Sequence, residues 1–146
     1  MSTNQEKLAL KLDLVLSELM HRLRVNTARE CGLTGIQFFT LRYIVRQKQL
    51  TVTDIASTLN VTLSAVTGLV NRLVNMGLVK RQQDQGDRRV VWIQATEKGI
   101  ALMEKANTIR AKDLNSFLCK LPPEMLEDFE TVCDKLVDIM DLAMED

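Results

Sequence analysis

The sequence predicts a mainly α-helical chain with one small β-hairpin, and three observations carry that prediction. Long stretches on both sides of the middle repeat apolar residues at three- and four-residue spacing, the period of an amphipathic helix. Aromatic residues make up only 4% of the chain and there are two prolines, a composition that favours helix. Between residues 78 and 93 the pattern changes to two short runs, Leu78-Val79 and Val90-Val91-Trp92-Ile93, parted by the turn residues Asp84 and Gly86.

The first helix is expected over residues 5–29, with Leu8, Leu12, Val15, Leu16, Leu19, Met20 and Leu23 on one broad stripe. A stripe this long needs a partner to cover it. Cys31-Gly32 ends the helix, and Thr34 with Gln37 three residues on forms a capping box that opens a second helix, through residue 47. Its Phe38, Leu41 and Val45, with Ile36, Phe39 and Ile44 alongside, are apolar most of the way round, so burial beneath the following helices is expected.

Thr51 and Asp54 repeat the capping pattern, with the acid at the positive end of the next helix. Ile55, Ala56 and Leu59 give it one narrow stripe, and Asn60, tolerant of the left-handed conformation, should stop it. Val61 and Thr62 make a turn, with Thr62 or Ser64 as cap for the helix after it. That helix separates its faces: Val66, Leu69, Val70 and Leu73 pack inward, while Ser64, Thr67, Gly68 and Asn71 point outward, flanked by Ala65 and Arg72. A small polar face of this kind suits close approach to base edges and phosphates in a major groove, where Ala can meet a thymine methyl. The bland alternative is an ordinary solvated helix face.

The hairpin shifts the balance. Lys80 and Arg81 lie on its first strand, and Arg88 and Arg89 sit where the tip meets the return strand, with Asp87 placed to brace one of them. Two arginines at a hairpin tip beside a small polar helix make a winged helix-turn-helix, with an arginine that can enter a narrow minor groove while the helix reads the major groove. Lys80 and Arg81 suit phosphate contacts, Arg81 alternatively a structural place in the strand.

After the wing, a helix is expected over residues 97–118, carrying Ile100, Leu102, Met103, Ala106, Ile109 and Phe117. Leu121-Pro122-Pro123-Glu124 punctuates the chain, and a last helix, residues 123–143, carries apolar positions from Met125 to Ala143. The first and the last two helices present more apolar stripe than the middle can cover. Packing against a second copy about a two-fold axis would bury it. The expected organisation is one domain over 1–146: a winged helix-turn-helix at 33–96, flanked by N- and C-terminal dimerisation helices at 1–32 and 97–146.

Nineteen basic and nineteen acidic residues balance to zero, but not evenly. Residues 1–50 carry +4, residues 51–96 carry +2 and residues 97–146 carry −6. The basic part coincides with the proposed reading surface, an argument about which face meets phosphate. Neither a signal-like start nor an apolar run near the ~20 residues that span a bilayer is present, so the expected place is the cytoplasm without membrane contact. Three cysteines, Cys31, Cys119 and Cys133, lack metal-ligand spacing and form no disulfide framework. With one histidine, no nucleophile-base-oxyanion set and no glycine-rich phosphate loop, the sequence reads as neither an enzyme nor a cofactor or metal binder.

Several of these residues together resemble the multiple antibiotic resistance regulator (MarR) family of bacterial transcription factors. Gly77-Leu78-Val79-Lys80-Arg81, Asp87-Arg88-Arg89 and Thr96-Glu97-Lys98-Gly99 look like its wing signature. Leu33-Thr34 to Leu41, and Val66-Thr67 with Asn71-Arg72-Leu73, resemble its second and recognition helices. Two positions depart: Ala95, where members usually carry leucine, and Gln85-Gly86, where a proline-containing tip is commoner.

The resemblance implies a homodimeric regulator, in the expected form a repressor, that binds double-stranded DNA at a pseudo-palindromic operator. Release would come from a small aromatic or phenolic effector, or from thiol oxidation. It assigns Thr62, Ser64, Ala65, Thr67, Gly68, Asn71 and Arg72 to the recognition helix, and Lys80, Arg81, Asp87, Arg88 and Arg89 to the wing. Met20, His21, Arg24, Phe38 and Phe39 are candidates for an effector cleft, although such residues at helical spacing also suit a core, and His21 a core edge or interface. Cys31 is the candidate thiol, at a helix end near Arg22, Arg24 and Arg29, against a plain turn residue. The rival function is a winged helix used for protein interaction without DNA, which would favour an apolar face where Ser64, Thr67 and Asn71 stand.

Overall fold

The computed structural model describes residues 3–140, in the order α1 (Thr3–Glu30), α2 (Gly35–Gln47), β1 (Gln49–Leu50), α3 (Val52–Leu59), α4 (Leu63–Asn75), β2 (Val79–Gln83), β3 (Val91–Ala95), α5 (Glu97–Leu118) and α6 (Pro123–Met140). Ala143, expected on the last helix, lies outside these residues. The described chain up to Arg110 forms one compact unit and the part from Ala111 a second.

Local side-chain chemistry begins the short helices. Thr34 accepts from the Gln37 backbone N–H at 3.3 Å while the Gln37 side chain accepts from the Thr34 N–H at 2.9 Å, which satisfies two otherwise orphaned donors. Thr51 and Asp54 repeat the box on α3, and Asn60 ends that helix at φ 53, ψ 47, the left-handed region. Thr62 is the α4 cap, through its hydroxyl oxygen and the Ala65 N–H at 3.2 Å; Ser64 lies within the helix instead.

The hairpin gains a strand that the sequence did not suggest. β1 pairs antiparallel with β3, giving the order β1-β3-β2, with Leu50 opposite Ile93 and Arg81 opposite Ile93 on the other side. Two residues show no alternation, so only the distant partner strand defines β1. Lys48, between α2 and β1, has φ 70 and ψ −48, a costly conformation for a residue with a side chain.

Leu41 and Ile44 of α2, Ile55 of α3, Val66, Val70 and Leu73 of α4 and Ile93 of β3 are fully buried in one cluster. α2 is less enclosed than its composition suggested, since Ile36 and Phe39 are 50% and 47% exposed. Its apolar residues exceed what one unit's core takes up.

The run from Thr96 to Gly99 joins the hairpin's base to α5. The Thr96 hydroxyl donates to the Gly77 carbonyl at 2.6 Å and accepts from the Gly99 N–H at 3.1 Å, and Lys98 Nζ donates to the Met76 carbonyl at 2.8 Å. Gly77 turns at φ 72, and a Cβ on Gly99 would collide with the Leu78 carbonyl oxygen. One other buried feature stands out on α1: the Thr27 hydroxyl is inaccessible and has no hydrogen-bond partner among the described residues.

On α1, Leu8, Leu12, Val15, Leu16 and Met20 are exposed, whereas Leu19 is half-buried and Leu23 buried. Within the second unit no α6 residue is buried, and Met125, Phe129, Val132 and Leu136 form an exposed stripe along it. None of the described helices is long and apolar enough to cross a membrane.

Candidate nucleic-acid interface

The candidate surface is built from α4 and the β2–β3 hairpin. Burial of Val66, Leu69, Val70 and Leu73 fixes the rotation of α4, so Ser64, Ala65, Thr67, Gly68, Asn71 and Arg72 are all exposed. Ser64, Ala65, Gly68 and Arg72 line one shallow groove of about 450 Å³ with Ile36, Val61 and Leu69. Gly68 has open space where a Cβ would stand, so its effect is to keep this floor low. The Thr67 hydroxyl donates to the Leu63 carbonyl at 2.8 Å, which leaves its oxygen as an acceptor toward solvent. Thr62, also exposed, is spent as the helix cap.

Arg81 bridges the two parts of the surface. Its Nη2 donates to Asn71 Oδ1 at 2.5 Å, from β2 to α4, and because guanidinium has only donors the Asn71 amide must turn its oxygen inward and its NH2 outward. Lys80 is exposed on the same strand. Arg88 and Arg89 are exposed at the tip, and no carboxylate forms an ion pair with either among the described residues.

Asp87, placed by the sequence to brace an arginine, forms no ion pair with an arginine side chain among the described residues. Its Oδ1 accepts from the Arg89 backbone N–H at 2.9 Å, so the carboxylate shapes the turn. The residue that orders the tip is Asp84, which sequence reading noted only as a loop signal. Its Oδ1 accepts from the Gly86 and Asp87 N–H groups at 2.8 and 2.9 Å, and its Oδ2 from the Trp92 indole N–H at 2.8 Å. These bonds, Trp92's foremost, hold the Asp84 carboxyl below the usual carboxylate range. The chain's one tryptophan, placed on the return strand within reach of a loop aspartate, was the available signal.

A second cavity, an open cleft of about 800 Å³, lies along α1, α2 and the end of α3. His21, Arg24 and Arg29 stand among apolar walls that include Val25, Ile36, Phe39 and Leu59. Of the five candidate cleft residues, His21, Arg24 and Phe39 meet there. Phe38 turns away from the cleft, into the core at 3% exposure, and Met20 does not line the cleft. Adjacent positions on a helix face about 100° apart, so one of Phe38 and Phe39 had to leave.

Cys31 is half-buried and in the thiol form. Burial pushes its thiol up, and the opposing pull of Lys105 does not overcome it. Of the two alternatives for Cys31, the cation-favoured thiolate beside Arg22, Arg24 and Arg29 is not the one these surroundings favour: burial outweighs charge, and the opposing cation is Lys105 of α5. Cys119 and Cys133 are also free thiols, and the described residues hold no cluster that could bind a metal ion.

Residues 32–90 match the family model described as MarR family. The HTH-type transcriptional repressor MdtR of Bacillus subtilis (strain 168) is 30% identical over 105 residues, covering 72% of this chain and 68% of that protein. Among solved structures, a transcriptional regulator from Thermotoga maritima superposes with a TM-score of 0.81 at 27% identity, over 90% of this chain and 95% of that one. A MepR mutant from S. aureus, bound to an oligodeoxyribonucleotide, does so with a TM-score of 0.71 at 25% identity, over 90% of this chain and 96% of that one.

Proposed function

The chain belongs to the MarR family of DNA-binding transcription regulators, and from that premise we propose that it is a homodimeric repressor released from a pseudo-palindromic operator by a small aromatic or phenolic ligand. The observation that carries this reading is the exposed polar face of α4 beside the exposed Arg88 and Arg89, which have no ion pair among the described residues, with Arg81 tying the two parts together. Ser64, Thr67, Asn71 and Arg72 supply major-groove contacts, Arg88 or Arg89 enters the minor groove, and Lys80 meets phosphate. The repressor name of the Bacillus relative and the oligodeoxyribonucleotide on the S. aureus structure support the same reading.

A second copy is the economical cover for the apolar stripes of α1 and α6, and two-fold symmetry would set two α4 helices roughly 34–36 Å apart, one turn of DNA. The cleft is the effector site: apolar walls accept a ring, and Arg24, Arg29 and His21 accept a phenolate or carboxylate. The raised Cys31 thiol speaks for ligand release over oxidation.

The test is a genomic-fragment selection with purified protein, each recovered fragment rebound at two salt concentrations. A shared inverted repeat, bound with steep salt dependence, is expected. No enrichment over bulk DNA at low salt would instead favour a protein-interaction module.

A further inference from the structure

We propose that Asp84 and Trp92 are positioning residues for DNA binding, holding the wing tip in its DNA-ready shape before DNA arrives. The inference rests on the wing reading above, and concerns neither the arginines themselves nor their contacts. A hairpin tip of this length, rich in Gln, Asp and Gly, is ordinarily a flexible loop. Here several hydrogen bonds cross it. The Asp84 N–H donates to the Val90 carbonyl and the Val90 N–H to the Asp87 carbonyl, both at 3.0 Å, which fixes the chord of the loop. Inside that chord the Asp84 carboxylate takes the Gly86 and Asp87 N–H groups, and Gln83 Nε2 donates to the Arg88 carbonyl at 2.8 Å.

One bond ties the Asp84 carboxylate itself to the sheet. Trp92 is half-buried on β3, opposite Gln82 in the ladder, and its indole N–H reaches Asp84 Oδ2 across the hairpin. The indole is a donor with a single direction, so it fixes which way the carboxylate faces and thereby which oxygen remains for the two backbone donors. Without it the carboxylate is free to rotate into water, and the tip loses its acceptor. The arginine side chains would stay charged and exposed, but the backbone that carries them would have to be ordered on binding, at a cost in affinity.

Three variants separate the possibilities: Trp92→Phe, which keeps a ring and removes the N–H; Asp84→Ala, which removes all three acceptor contacts; and Arg88→Ala with Arg89→Ala. Amide hydrogen exchange at Gly86, Asp87 and Arg89 is measured in the free proteins, and affinity for the selected fragment is measured over a salt series. Exchange at the tip should accelerate in Trp92→Phe and Asp84→Ala while exchange in α4 stays unchanged. Affinity should fall about three- to tenfold, with the salt slope retained because the same cations still reach DNA. The double arginine variant should lower the slope itself. If both lock variants bind as the parent does while the arginine variant weakens, the positioning role is overturned and the wing reading stands. If the arginine variant also binds unchanged, the wing reading is what has failed. Should Trp92→Phe unfold, Asp84→Ala decides alone, and tip exchange equal to the parent's overturns the proposal.

Discussion

A methyl group at position 99 has no room. Gly99 sits one turn into α5 against the Leu78 backbone carbonyl, and a carbonyl already accepting the Thr96 N–H cannot retreat without breaking the base of the hairpin. Gly99→Ala, which on an open helix would help by about 1 kcal/mol, should here destabilise by about 1–3 kcal/mol, as overpacking does. Urea unfolding checks the sign, and a rise in the midpoint would mean that the contact is not tight. Thr27 offers the opposite case. Its hydroxyl is fully desolvated without a partner, so Thr27→Val keeps the shape and removes the cost, with an expected gain of about 1 kcal/mol. A loss of that size would show that the hydroxyl has a partner in solution.

Among the elements, α3 and the wing share one dependence: each is held by an aspartate acting purely as acceptor. The Thr51 backbone N–H and then its hydroxyl hold the Asp54 carboxyl below its ordinary value, as Trp92 and two backbone donors hold that of Asp84. A carboxylate whose pKa is depressed by folding stabilises above the unfolded value of about 3.9 and loses that contribution only as pH falls through the lower folded value. The cap and the tip should therefore stay intact from neutral pH to about pH 4. Carboxyl carbon shifts followed by NMR should give midpoints below about 3.9 for both residues, and a midpoint above that would contradict the bonding described. What could be read from the sequence follows the range of the forces. Thr34, Thr51 and Asn60 act within four residues, so their roles were legible. β1 exists only through a partner far along the chain, and the sides chosen by Phe38 and Phe39 depend on how α2 is rotated by its neighbours. The Asp84–Trp92 bond joins two residues that local pattern treats separately, as loop signal and strand filler, and so it was missed.

Across the described residues, apolar stripes on α1 and on α6 stay exposed. Val132→Glu with Leu136→Glu, both on the exposed stripe of α6, should convert a sedimenting dimer to a monomer while residues 33–96 keep their fold. A parent protein that sediments as a monomer, or a variant that stays dimeric, would assign that stripe another role. Charge acts on the same scale: the surface that carries α4 and the wing belongs to the net positive part of the chain and the acidic part lies at its C-terminal end, so fragment binding should weaken steeply with salt despite a net charge of zero. One connection spans the cleft along α1 and α2 and the wing. α2 is a rod roughly 20 Å long, with Gly35, Ile36 and Phe39 walling the cleft near one end. Its other end passes through Lys48 into β1, which is stitched to the return strand of the wing. Mechanically this is a lever jointed at Lys48. A ligand that tilts α2 by about 5° would carry the far end of the rod through about 2 Å, and the sheet, bonded to it, would have to follow.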